Sequence, residues 1–184
     1  MNQKNFNRAF YIVIVVLILI FFTQDLDFTS EKKEETTFYK NIKLIETPSQ
    51  LHILVNKNNQ LPNDYVPNSL ETISEDYANK GKMLRMEARK QFEELSKTSL
   101  ILGYSIIAVS AYRDYLYQEN LYNGYVETKG LEYADSCCAR PGHSEHQTGL
   151  AVDVMGSNND YDEFEKSPEF PWMRDNAHVF GFIL

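Results

Sequence analysis

Cysteine is nearly absent from this 184-residue sequence, and the two present, Cys137 and Cys138, are neighbours. Adjacent cysteines do not normally close an unstrained disulfide with each other, so a disulfide-stapled fold is excluded. Zinc-binding cysteines are usually set at least two residues apart, so the pair does not read as a metal knuckle either. It reads as the small, half-buried end of a helix. Positive charge is also in short supply, with 18 Lys and Arg against 26 Asp and Glu and a formal charge of −8. Binding to nucleic acid depends on neutralising phosphates, so no nucleic-acid partner is expected. The length suits one domain large enough to bury a core.

Long apolar runs are missing except at residues 9–22, Ala-Phe-Tyr-Ile-Val-Ile-Val-Val-Leu-Ile-Leu-Ile-Phe-Phe, which contain no charge and no helix breaker. Lys4 and Arg8 precede the run, and Asp25 and Asp27 follow it. No small-x-small cleavage site and no lipobox cysteine come after Phe22. This layout predicts an uncleaved signal-anchor rather than a cleaved signal. The expected organisation is a cytoplasmic tail (1–8), a membrane segment (9–24), a polar tether (25–46) and a folded domain (47–184). The domain is then expected on the extracellular, cell-wall side of a single-pass membrane protein. Two free thiols fit that setting better than a disulfide framework does.

Within the domain, Leu51–Val55 reads as a strand and Asn56-Lys57-Asn58-Asn59 as the turn that ends it. Met83, Leu84, Met86, Ala88, Phe92 and Leu95 recur at helical spacing, predicting an amphipathic helix of about five turns. Gly103 closes it. Tyr104–Ser110 is the strongest strand signal, and it delivers Ala111-Tyr112-Arg113 at its end. Asp114–Lys129 reads as a tyrosine-rich helix capped by Gly130. Arg113 and Gln118, five residues apart at a strand-to-helix junction, could face one pocket, where a guanidinium holds a carboxylate in two parallel hydrogen bonds. Spacing alone favours a surface arginine paired with Asp114 or Glu119 instead.

The informative stretch is Arg140–Val154. Pro141 and Gly142 supply turn chemistry, and Leu150, Val152 and Val154 alternate with Ala151 and Asp153 as a strand. A carboxylate on a buried strand needs a partner. His146, seven residues upstream across Gly149, can reach the same point. Imidazole nitrogen with carboxylate oxygen suits zinc, and it equally suits a plain histidine–aspartate hydrogen bond.

Three blocks resemble the VanY-type D-alanyl-D-alanine carboxypeptidases, zinc peptidases of bacterial peptidoglycan with the hedgehog/D,D-peptidase fold. They are Ser110-Ala111-Tyr112-Arg113 with Gln118, then Ala139–Asp153 with its Ser-x-His-x-x-Gly-x-Ala-x-Asp pattern, then Trp172 and Asn176-Ala177-His178 through Gly181–Leu184. Leu54–Lys57, Leu61-Pro62 and Asp64-Tyr65 are also similar to that family's first segment. The resemblance implies an α+β fold with a small antiparallel sheet flanked by helices. It implies that His146 and Asp153 are zinc ligands and that Arg113 stabilises charge developing on the scissile carbonyl. Ser144, Gln118 and Tyr112 would contact substrate, the peptidoglycan stem peptide. Glu145 does not match the family's catalytic glutamate, and His143 and His178 read as structural.

One departure stands out. In the family a later Glu-x-Trp-His motif brings the catalytic base and the third zinc ligand, and this sequence ends at Leu184 before it. A catalytic zinc takes three protein ligands and a water. The expectation is therefore a truncated chain, with its C-terminal strands missing, whose zinc affinity and activity are impaired. The alternatives are a non-catalytic peptidoglycan-binding remnant and an unstable fragment.

Overall fold

The computed structural model describes residues 38–161 and 163–184, and the expected membrane segment at 9–24 lies outside them. Among the described residues no helix is long and apolar enough to cross a membrane. The architecture is α+β. In place of one small antiparallel sheet there are three two-stranded ladders among the described residues. β1 (Lys43–Leu44) runs parallel to β2 (Asn59–Gln60). β3 (Leu70–Thr72) is antiparallel to β4 (Met83–Arg85), and β5 (Ile107–Ser110) to β6 (Asp153–Met155).

The helix foretold from Met83 begins three residues later, as α1 over Met86–Ile101. Met83 and Leu84 are claimed by β4, where they pair with Thr72 and Glu71. A helical period continued through them, but cross-strand pairing fixes the backbone as extended. Helix α1 buries Ala88, Phe92, Leu95, Ser96 and Ser99, one face of the 3.6-residue repeat. Phe92 and Leu95 reach the centre of the core with Ile73, Leu84, Ile106, Ala108 and Met173. Near the end of the chain α4 (Glu169–Asn176) leads into a 3-10 turn, after which Phe182 packs edge-on against Phe92.

Leu51–Val55 is irregular rather than a strand. The turn expected after it does form, with Asn56 Oδ1 accepting from the backbone N–H of Asn58 and Asn59, at 2.9 and 3.0 Å. Leu51 and Leu54 are exposed, so the stretch has no buried face of the kind that stabilises a strand. The strand falls at Asn59–Gln60 instead. Its parallel partner β1 sits inside the stretch read as tether, and so does Tyr39, which is only 8% exposed. Polar composition hid these contacts, since they are made by single aromatic and backbone groups.

α2 (Tyr115–Lys129) matches the expected helix closely. Asp114 Oδ1 caps it by accepting from Tyr117 N at 2.7 Å, and Gly130 ends it at φ 89°. Gly130 leads into α3 (Leu131–Cys137), so the cysteines do lie at a helix end. α2 and α3 are joined by a buried polar knot. Asp135, fully buried, accepts from Tyr122 Oη at 2.7 Å and from Arg140 Nε and Nη2 at 2.8 and 2.6 Å. The Arg140 guanidinium lies 4.2 Å from the Tyr39 ring centroid, and its backbone N–H donates to Tyr39 Oη at 2.9 Å.

Burial first, and then the bond to Asp135, push the Tyr122 phenol up to about 12. A folded-state value above the unfolded one means stability that is complete below pH ~10 and is lost as pH rises towards the folded value. Tyr122→Phe should therefore lower stability near neutral pH by about 1.5–3 kcal/mol, the usual scale for a hydrogen bond to a charged group. It should also flatten the alkaline loss of stability. Denaturant melts across the alkaline range test this, and an unchanged alkaline slope would locate the effect elsewhere.

Candidate active site

The strand β6 and the 3-10 turn Glu145–Thr148 bring the two suspected ligands together. A register shift between Ala108 and Ser110 sets Asp153 opposite Ser110, so β5 and β6 open slightly at this point. Gly149, at φ 70°, reverses the chain between the turn and the strand. An added Cβ there would meet Arg85 Cγ and a Leu70 methyl, each at 3.0 Å, so glycine is required on both counts. Leu150, Ala151 and Val152 are not in a strand as alternation suggested; Leu150 N–H donates to Thr148 Oγ1 at 3.0 Å, and Gly149 O accepts from Arg85 N at 2.8 Å.

His146 Nε2 lies 3.3 Å from Asp153 Oδ2, and Arg113 Nη2 lies 3.6 Å from the same oxygen. Arg113 is thus turned inward to Asp153, and Asp114 is engaged in capping α2. The His146 ring is fixed from behind, with Nδ1 2.6 Å from the Ala111 carbonyl oxygen. A carbonyl only accepts, so Nδ1 carries a proton, and Nε2 is the ring nitrogen turned towards Asp153. Nε2 and the carboxylate oxygen face each other at 3.3 Å, a separation that a shared proton or a cation fills. Burial opposes the charge on Asp153. The hydrogen bond and charge of His146, with Arg113 and Ser110, outweigh it and hold the carboxyl below its ordinary value.

These groups form one wall of a cavity of about 850 Å³. Gln118 and Ser144 line it, as the resemblance implies, and both are buried. Gln118 Nε2 donates to Ala139 O at 2.8 Å, while its Oε1 and the Arg113 Nε are buried without a partner. Unused polar atoms of this kind are what a bound polar substrate would satisfy. Tyr112 does not line the cavity; its backbone N–H bonds Met83 O. His143 does line it, with Nδ1 2.8 Å from Asn56 O and its ring edge-on to Tyr39, so its structural reading stands beside a lining role. His178 is exposed on the 3-10 turn Ala177–Phe180, away from the cavity-lining set. Sequence reasoning missed Tyr117, Lys57, both cysteines and the exposed Glu145 as cavity residues. The only available signal was for Tyr117, which shares the first turn of α2 with Gln118.

Zinc fits the pair that is present. Two ligands at about 2.0–2.1 Å from a tetrahedral zinc lie ~3.3–3.4 Å apart, and the His146–Asp153 separation is 3.3 Å. Among the described residues no third His, Cys, Asp or Glu joins them to make a three-ligand group.

A histidine–aspartate pair backed by a carbonyl, with an arginine at its side, thus stands on the wall of an open cavity. The chain belongs to the VanY D-alanyl-D-alanine carboxypeptidase family, whose profile matches residues 81–184. It is 32% identical over 171 residues to YodJ of Bacillus subtilis (strain 168), covering 88% of this chain and 63% of YodJ. The chain thus spans less than two thirds of that relative's own length. It is 33% identical over 140 residues to VanXYC of Enterococcus gallinarum, a bifunctional D-Ala-D-Ala dipeptidase and carboxypeptidase, covering 71% of this chain and 70% of VanXYC. Among solved structures it resembles the LdcB LD-carboxypeptidase, with a TM-score of 0.73 at 32% identity, covering 78% of this chain and 71% of LdcB. It also resembles a vancomycin-resistance D,D-pentapeptidase VanY carrying Zn(II), with a TM-score of 0.56 at 30% identity over 71% of this chain and 74% of that one.

Proposed function

We propose that this chain is a zinc-dependent D-alanyl-D-alanine carboxypeptidase that hydrolyses the terminal peptide bond of peptidoglycan stem peptides. The observation that carries this reading is the convergence of His146 Nε2 and Asp153 Oδ2, 3.3 Å apart, with Arg113 Nη2 beside them on one cavity wall. His146 and Asp153 would hold the metal, which when bound polarises a carbonyl and lowers the pKa of a bound water. The protein's own part is positional and electrostatic. The Ala111 carbonyl fixes the His146 tautomer, so that Nε2 faces the cavity. Against the cost of burial, His146 first, and then Arg113 and Ser110, hold the Asp153 carboxyl below its ordinary value. Arg113 Nε, buried and unpartnered, is available to the oxygen that gains charge as the carbonyl is attacked. Gln118 Oε1 is available to a substrate N–H.

The test supplies the full chain with zinc and a peptide ending in D-Ala-D-Ala, and measures both calorimetric binding and free D-alanine. Release of D-alanine supports the reading. Binding without release favours the alternative of a non-catalytic peptidoglycan-binding protein, and a chain that neither binds nor cleaves the peptide overturns both readings. The likeness to LdcB favours a second reading, removal of a D-alanine that follows an L,D bond. Relative rates on tetrapeptide and pentapeptide stems separate the two. The proposed setting is the cell membrane, with residues 9–24 as a single anchor and the domain on the wall side. Fractionation of the full chain against one starting at residue 25 tests that placement.

A further inference from the structure

The two cysteines are unused by the proposed reaction, yet both line the same cavity as Arg113 and His146. Cys137 is exposed and Cys138 half-buried, both are free thiols, and their Sγ atoms are 3.5 Å apart. That is far beyond the ~2.05 Å of a disulfide, which neighbouring cysteines form only under strain. It is the spacing of two sulfurs on one soft atom. With sulfur bonds near the ~2.3 Å of a zinc–thiolate and a near-tetrahedral angle, two such sulfurs stand about 3.5–3.8 Å apart.

We propose that Cys137 and Cys138 form a bidentate site for a trivalent arsenic centre in the cavity wall, and that filling it closes the cavity to substrate. The second half rests on the peptidase reading of the cavity; the first does not. The chemistry favours an arsenical over a divalent metal ion. Burial first, and then Cys137, push the Cys138 thiol up to about 11, so the thiolate a metal ion requires is disfavoured near neutral pH. A hydrated arsenical, R–As(OH)2, reacts with the neutral thiols. Two As–O bonds break and two As–S bonds form, and each thiol proton leaves with a hydroxide as water. Arsenic stays trivalent and neither sulfur is oxidised. The bridging atom also enlarges the ring that a direct disulfide would strain.

Phenylarsine oxide is the probe, applied to the reduced full chain. Intact mass should show one phenylarsenic per chain, with two thiols lost to a thiol-counting reagent. Capture should survive a monothiol wash and reverse with a dithiol. Cys137→Ser and Cys138→Ser should each weaken capture by about 10²-fold or more, since the second bond then has no intramolecular partner. Single variants that hold the probe as tightly as the parent, or a reduced parent that takes none, would overturn the site. The loaded chain should lose binding of a D-Ala-D-Ala peptide and regain it with dithiol. Undiminished peptide binding by the loaded chain would overturn the cavity closure. If the untreated chain binds no peptide, the peptidase reading fails, while mass and thiol count still decide the dithiol site.

Discussion

Arg113→Ala is expected to cut D-alanine release by about 10²–10³-fold through kcat, leaving KM within a few-fold. Its guanidinium sits between two demands. Nη2 faces Asp153 Oδ2 at 3.6 Å, too long to use that nitrogen fully, and Nε is buried with no partner. A group held ready but not engaged in the free protein gains most when charge appears on the substrate, which is stabilisation specific to the transition state. Arg113→Lys should recover only part of the rate, because an ammonium keeps the charge but loses the fixed fork of donors. The split between constants is decisive. If kcat holds and KM rises by the whole factor, Arg113 binds the ground state, for instance a terminal carboxylate, and does not act on the carbonyl. An unchanged melting temperature in Arg113→Ala would show that the loss is not one of folding. Because Arg113 also helps keep Asp153 ionised, a zinc titration of the variant should accompany the kinetics.

The meeting of His146 with Asp153 was legible because it belongs to short-range chemistry. Asp153 on an apolar strand demanded a partner, and Gly149 gave the chain its means of bringing His146 back. The choice between an inward Arg113 and a surface one was not legible. It depends on the register shift at Ser110, which is a property of two paired strands and not of either sequence alone. The same limit explains the missed start of α1. Met83 and Leu84 fit the helical period, and only the pairing with β3, more than ten residues away, makes them a strand. Leu51–Val55 carries a strand-like apolar pattern, but Leu51 and Leu54 stay exposed, and the ladder forms beyond the Asn56 turn at Asn59–Gln60. Tyr39 was invisible because one aromatic in a polar stretch carries no period. Its significance comes from Arg140 and His143, about a hundred residues later.

That long-range contact leads to the largest expected loss of stability, in Asp135→Ala. The carboxylate is fully buried and accepts from Tyr122 and twice from Arg140. Removing one member of a buried charged pair costs about 3–5 kcal/mol, because the other keeps the cost of its burial without the compensating bonds. For a domain of this size that is roughly 6–20 °C in melting temperature. A drop of only a degree or two would mean that water replaces the carboxylate. Asp135→Leu combined with Arg140→Met should lose much less than Asp135→Ala alone, since no buried charge then remains to be satisfied. The double variant also separates stability from function. Arg140 opens the Pro141–Ser144 segment that carries His146 into the cavity, and its backbone N–H and guanidinium both engage Tyr39. If the knot serves only stability, the double variant should bind zinc and peptide like the parent. If it also sets the path to His146, zinc affinity should fall in the double variant although the fold is recovered. We expect the second result. The bidentate fork of Arg140 on Asp135 fixes the residue at which α3 hands over to that segment, and an apolar pair fills the space without fixing the direction.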